Sequence, residues 1–124
     1  MMLNLDFRDA RPIYEQVKDG LRHLVVTGAL QAGDKLPSVR ALAREIGVNP
    51  NTVQRSLTEL EREGLVFSQR TAGRFVTENE NMIVNAKLRI ADERVSEFLR
   101  SMKTLGCGRQ EIISLIEGAK EDEE

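Results

Sequence analysis

The sequence predicts a mainly α-helical protein with a small β-wing. An N-terminal winged helix-turn-helix domain (residues 1–79) should precede a C-terminal hairpin of two helices (residues 80–124). Three observations predict this fold class. Two amphipathic helix patterns joined by a tight turn lie between Leu36 and Glu63, a hairpin pattern follows as LVFSQRTAGRFVTE, and a long apolar repeat occupies the second region.

The first helix is predicted to run from Pro12 to about Gly28. Gly20 lies in mid-helix, where glycine lowers helix stability by about 1 kcal/mol relative to alanine. It either allows a close helix contact or is a tolerated loss of helix stability. Tyr14 is interpreted as a packing or helix-surface residue. The inward face, which should form one side of the core, consists of Ile13, Val17, Leu21, Leu24 and Val25.

The second and third helices have recognisable start and stop signals. Ser38 is a favoured N-cap for the second helix, and Gly47 accepts the left-handed conformation that ends it. Asn49 can cap the third helix, Pro50 suits its first position, and Gly64 should close it. The predicted inward stripes are Val39, Leu42, Ala43 and Ile46 in the second helix, and Val53, Leu57 and Leu60 in the third.

The outward face of the third helix is polar and suggests a function. Asn and Gln can each form two hydrogen bonds with adenine in the major groove of DNA, and Arg can do the same with guanine. Thr can contact a phosphate or a thymine methyl. Such residues can also be ordinary solvent-exposed positions, but the preceding helix, the short turn and the following hairpin together favour DNA recognition. The outward residues are Asn51, Gln54, Arg55 and Thr58.

The stretch GDKLPSVRALAREIGVNPNTVQRSLTELEREGLV resembles the GntR-type winged-helix transcription factors, over about Pro12 to Val76. PIYEQV opens the first helix in the same style. VNPNTVQR, followed by a compact helical tail, resembles the YtrA-like subgroup. The resemblance implies a dimeric bacterial regulator that binds a palindromic operator in double-stranded DNA. Repression is the default expectation where an operator overlaps a promoter.

By position in the motif, the resemblance assigns phosphate or base contacts to Arg40, Asn49, Asn51, Thr52, Gln54 and Arg55, and wing contacts to Arg70 and Gly73. The predicted DNA-binding set is completed by Ser38, Arg44, Thr58 and Arg74. The wing departs from the family pattern in one respect. Where the family often has Arg-Gly-x-Gly-Thr, this chain has Arg70, Thr71, Ala72, Gly73 and Arg74.

Charge and composition set limits on partners. The net charge is −2, but residues 1–79 carry eleven basic and ten acidic side chains, and residues 80–124 carry seven and ten. Glu59, Glu61 and Glu63 should lie near the end of the third helix that is away from the DNA groove. A domain of such modest charge should bind random DNA weakly, so specific binding should depend on dimerisation.

The sequence predicts a soluble cytoplasmic protein. Its composition is 40% hydrophobic and 31% charged, and no apolar run approaches the roughly 20 residues that cross a bilayer. The start MMLNLDFRDA does not resemble a signal peptide. We therefore expect no membrane contact.

The sequence predicts neither an enzyme nor a bound cofactor. One cysteine and one histidine, Cys107 and His23, provide no metal-binding cluster, and we recognise no paired carboxylates, no nucleophile with a base and no phosphate loop. No dedicated pocket for a small-molecule effector is evident, and an effector site at the hinge or at the dimer interface is left open. The alternative function is a winged-helix module that binds protein and assembles through its helical tail. An aromatic content of only 4% argues against it, since protein-binding faces usually present large apolar or aromatic anchors.

Apolar residues in the C-terminal region follow a 4-3-4-3-4-3 spacing, which is typical of a coiled-coil interface. The helix that carries them should exceed what a small winged-helix domain can cover, so a second copy of the chain should bury most of them. Packing on the chain's own domain is the alternative. A break at 106–108 should let a second helix, Gln110 to about Ala119, fold back. We call the repeat the apolar seam; its members are Val84, Leu88, Ala91, Val95, Phe98, Met102 and Leu105.

Overall fold

The computed structural model of the chain describes residues 3, 5 and 9–120. Over this part of the chain the order of elements is α1 (Ile13–Val26), α2 (Val39–Ile46), α3 (Pro50–Arg62), β1 (Val66–Gln69), β2 (Gly73–Val76), α4 (Glu80–Thr104) and α5 (Arg109–Gly118). The predicted mainly helical fold with a β-wing is confirmed. None of the described helices has both the length and the apolar character needed to cross a membrane.

The helix-turn-helix is fixed by the local hydrogen bonds that the sequence predicts. Ser38 Oγ accepts a bond of 3.1 Å from Ala41 N at the start of α2. Asn49 Oδ1 accepts a bond of 2.8 Å from Asn51 N at the start of α3. Between these caps, Gly47 adopts a left-handed conformation with φ of 84°. The turn joining α2 to α3 therefore has little freedom, and it sets the direction of α3.

One core joins α1, α2, α3 and the wing. The predicted inward stripes of the three helices all contribute to it, either as buried residues or as partly buried ones packed against them. Gly20 in mid-α1 allows a close contact, because a Cβ there would lie 2.7 Å from Leu3 Cδ2. The residues that are at most 1% exposed include Val17, Leu21, Leu42, Val53, Leu57, Leu60 and Val76.

The chain divides into two compact units, residues 1–87 and 88–124. The division falls inside α4, because Ile83 and Ala86 in its first turns pack with the core of the first unit. In the second unit α4 is followed by a turn and by α5, which is the predicted second helix. Ile112 of α5 is buried.

The wing is an antiparallel hairpin of β1 and β2, and a third segment, residues 34–36, extends it. Leu36 N donates to Arg74 O at 2.9 Å, and Val76 N donates to Asp34 O at 2.8 Å. The segment that leads into α2 is thus hydrogen-bonded along β2. This pairing connects the wing to the helix-turn-helix through the backbone.

The wing turn places Thr71 in the left-handed region, with φ of 68°. This position is where the family pattern has its first glycine. The turn is nevertheless closed, since Ala72 N donates to Gln69 O at 3.1 Å. A β-branched residue in this region is strained, because its Cβ approaches the following carbonyl oxygen at a cost of about 1–2 kcal/mol.

Replacing Thr71 with glycine is therefore expected to stabilise the first unit by up to about 1 kcal/mol. Glycine removes the strain, although part of the gain is lost to the greater freedom of glycine in the unfolded chain. Chemical denaturation of the parent and the variant measures the difference. Ala72→Gly is the matched control and should not stabilise, because Ala72 does not have a positive φ. A Thr71→Gly protein less stable than the parent would contradict the strain argument.

Candidate nucleic-acid interface

The predicted DNA-binding residues lie on α2, α3 and the wing, and nearly all of them are exposed. Thr52 and Arg74 are the two that are half-buried. Asn49 and Asn51 lie at the capped start of α3, directly after the turn. A common core and the helix caps hold α2 and α3 in place. The predicted DNA-binding side chains on these helices therefore have fixed relative positions, which favours recognition of a DNA groove.

Gln54 and Thr58 lie one helical turn apart on the exposed face of α3. Gln54 Nε2 is 3.4 Å from Thr58 Oγ1, a long hydrogen bond. The Thr58 hydroxyl also donates to Gln54 O at 2.9 Å. The opposite face of α3 carries the buried Val53 and Leu57. The polar face predicted from helical spacing is thus present as a surface.

Arg74 joins the wing to α3. Its Nε donates to Glu61 Oε1 at 2.7 Å, and its NH1 lies 3.4 Å from Gln54 Oε1. Ser68 on β1 donates to the same oxygen of Glu61. Three predicted DNA-binding residues, Gln54, Thr58 and Arg74, are therefore brought together in one cluster.

The pKa of Glu61 reflects this environment. Burial by itself raises the pKa of the carboxyl group, but the hydrogen bonds from Ser68 and Arg74 and the positive charge of Arg74 lower it further than burial raises it. The net pKa lies below the ordinary value, so the group is ionised at neutral pH and keeps its interaction with Arg74.

The three acidic residues at the end of α3 have different surroundings. Glu59 pairs with Lys18 at 3.3 Å, and Glu63 pairs with Arg22 at 2.6 Å, both on α1. Glu61 instead lies against the wing. All three acids lie at the C-terminal end of α3, but Glu61 differs from the other two because it contacts Arg74, a predicted DNA-binding residue.

Arg55 points toward α1, where its guanidinium lies 3.6 Å from the centre of the Tyr14 ring. A cation over an aromatic face at this distance is attracted by the ring quadrupole. Tyr14 is also held to α3 through its backbone, since Ser56 Oγ donates to Tyr14 O at 2.7 Å. Tyr14 thus orients a predicted DNA-binding residue, a role that sequence reasoning did not assign to it.

Lys35 is a second residue that sequence reasoning missed. Together with Ser38, Gly73 and Arg74, it lines a concave surface between the wing turn and the start of α2. A Cβ built on Gly73 would lie 3.2 Å from Lys35 Cε, so the lysine side chain runs alongside the wing turn. The surface combines two basic side chains with the N-terminus of a helix, and both features favour an anion such as a DNA phosphate.

Arg40 and Arg70 are expected to contact the DNA backbone, because each is exposed at an element that borders this surface. Arg40→Ala and Arg70→Ala should each weaken binding to all DNA sequences alike and reduce the magnitude of the log–log salt slope by about one. Titrations at several salt concentrations measure this slope. Arg100→Ala on α4 serves as the control and should leave it unchanged. An unchanged slope in either test variant would remove that residue from the phosphate contacts.

Comparisons with known proteins agree on one family. The model of the bacterial regulatory proteins of the gntR family matches residues 13–76. The HTH-type transcriptional repressor YtrA of Bacillus subtilis is 39% identical over 99 residues, covering 79% of this chain and 76% of that protein.

Solved structures give the same result. A GntR family transcriptional regulator from Listeria monocytogenes matches with a TM-score of 0.84 at 35% identity, over 94% of this chain and 100% of that one. The DNA-binding domain of AraR in complex with operator ORE1 matches with a TM-score of 0.53 at 26% identity, over 62% of this chain and 94% of that one.

Proposed function

This chain belongs to the GntR family of bacterial regulatory proteins, and from that premise we propose that it is a cytoplasmic repressor that binds a palindromic operator as a homodimer. The observation that supports the proposal most strongly is the exposed polar face of α3, whose Asn51 and Gln54 offer amide groups to a DNA groove. Repression is proposed because the relative YtrA is named a repressor.

We assign base recognition to Asn51 and Gln54 and backbone contacts to the basic residues around them. An amide side chain can accept a hydrogen bond from adenine N6 and donate one to N7, which distinguishes adenine in the major groove. Arg40 on α2, Arg70 on the wing turn and Lys35 beside it would contact phosphates on either side. Such contacts position the protein without reading sequence.

The apolar seam supports dimerisation. α4 has 25 residues and is therefore about 37 Å long. Five seam members are between 41% and 74% exposed in the single chain: Val84, Leu88, Val95, Phe98 and Leu105. Ala91 is exposed as well, and Met102 is half-buried. The alternative interpretation of the seam, packing on the chain's own winged helix, is tested by the oligomeric state of variants at these positions.

A second copy of the chain is the partner that the seam favours. Apolar residues at heptad spacing on one helix bury each other when two such helices pair. The exposed Ile113, Leu115 and Ile116 on α5 would add to the buried area. Each protomer would then place its own α3 on one half of a palindrome, as the two-fold symmetry of a homodimer requires.

A gel-shift experiment tests the proposed function. The full chain is mixed with DNA from upstream of its own gene and challenged with an excess of unrelated DNA. We expect a retarded complex that unrelated DNA does not remove. A complex that unrelated DNA removes as readily as the upstream fragment would overturn sequence-specific recognition. The absence of any complex would favour the alternative function, a winged-helix module that binds protein.

A further inference from the structure

We infer that Glu61 is a positioning residue for base recognition, which acts through Arg74 to orient the side-chain amide of Gln54 before DNA binds. The inference rests on the proposed DNA-binding function. It assigns to Glu61 an effect on sequence specificity, although Glu61 itself does not contact a base.

The geometry links three residues from two elements. Glu61 lies two helical turns after Gln54 on the same face of α3, and Arg74 of β2 spans the gap between them. The Glu61 and Arg74 side chains are 30% and 21% exposed, so their ion pair is partly shielded from water. Ser68 of β1 donates to the same carboxylate oxygen, so both strands of the wing hold it.

The pairing determines which way the Gln54 amide points. A guanidinium can only donate hydrogen bonds, so it is the amide oxygen of Gln54 that faces Arg74. The amide nitrogen then faces Thr58 Oγ1. The amide oxygen keeps a second lone pair, which can accept a hydrogen bond from adenine N6. The amide nitrogen keeps a second proton, which it can donate to adenine N7.

The strengths of the contacts show which residue controls the others. Both bonds of the Gln54 amide are long, at 3.4 Å, and each would be weak by itself. The bond from Arg74 to Glu61 is short, at 2.7 Å, and charge-assisted. Glu61 therefore fixes Arg74, and Arg74 in turn biases the orientation of Gln54.

Other acids on the same helix provide a matched comparison. Glu59 also forms an ion pair, with Lys18 of α1, on the side of α3 that packs against that helix. Removing either carboxylate changes the net charge equally and should change non-specific attraction to DNA similarly. Of these two carboxylates, Glu61 is the one that is linked to Gln54 within the described residues, through Arg74.

The test compares Glu61→Ala with Glu59→Ala in the full chain. The quantity measured is the ratio of operator affinity to random-DNA affinity, at one salt concentration, with unfolding curves recorded for both variants. We expect Glu61→Ala to lower this ratio by about 3- to 10-fold, a range set by the loss of order in one side chain. Glu59→Ala should leave the ratio at the parental value. An unchanged ratio in Glu61→Ala would overturn the inference.

A double-mutant cycle shows whether the effect passes through Gln54. In a Gln54→Ala background, adding Glu61→Ala should not lower the ratio further, because the amide that Glu61 positions is gone. A full additional loss in that background would also overturn the inference. A parent protein without any operator preference would instead refute the proposed function itself, so the two failures are distinguishable.

Discussion

Replacing Phe98 with glutamate is expected to convert the proposed homodimer into a folded monomer that binds its operator poorly. Phe98 is the largest member of the apolar seam and lies near its middle. Its side chain is 41% exposed in the single chain and would be covered by a second copy. Burying a carboxylate there, opposite its symmetry mate, is disfavoured by several kcal/mol.

The variant should remain folded, because the winged-helix domain has its own core. Operator affinity should fall by about 10²-fold or more, since two linked half-site contacts become one weak contact. Sedimentation and operator titration on the same sample measure both effects. Ser96→Glu is the matched control: it adds the same charge to the same helix, off the seam, and should remain dimeric.

Two outcomes would contradict this account of the seam. A Phe98→Glu protein that remains dimeric would show that the seam is not the dimer interface. A folded monomer with undiminished operator affinity would show that dimerisation does not support DNA binding.

Removing either proposed base-reading amide is expected to weaken operator binding by about 1–3 kcal/mol while sparing random DNA. Gln54→Ala and Asn51→Ala are the two variants, and both side chains are exposed on α3. Asn51 contributes its backbone N–H, not its side chain, to the cap at Asn49, so truncating it should leave the helix start intact.

Parallel titrations with operator and random DNA check this expectation. Gln110→Ala, an exposed amide on α5, is the control and should bind both DNAs as the parent does. An equal loss of affinity for operator and random DNA in the α3 variants would show that Asn51 and Gln54 do not read bases.

The helix-turn-helix was predictable because its determinants are local. A cap such as Ser38 or Asn49 needs only residues two or three positions away. The inward stripes follow from helical spacing alone. The left-handed turn at Gly47 likewise depends on one residue type. These features are therefore determined by short stretches of sequence.

The contacts that organise the site were not predictable in the same way. Arg74 meets Glu61 and Gln54 only because β2 folds back beside α3, and Arg55 meets Tyr14 only because α1 packs across α3. No short pattern encodes such a pairing, since it depends on the relative placement of distant elements. A match to the family pattern also could not show that Thr71 would adopt the left-handed conformation usually given to glycine.

Sequencing of the genomic DNA that the purified full chain retains shows whether this chain recognises a palindromic operator as a homodimer. We expect the retained fragments to share an inverted repeat, with half-site centres about 10 base pairs or a multiple of that apart. Phe98→Glu should not enrich the repeat under the same conditions. Retained DNA without any sequence enriched above the input, or with only single unrepeated half-sites, would contradict recognition of a palindromic operator by a homodimer.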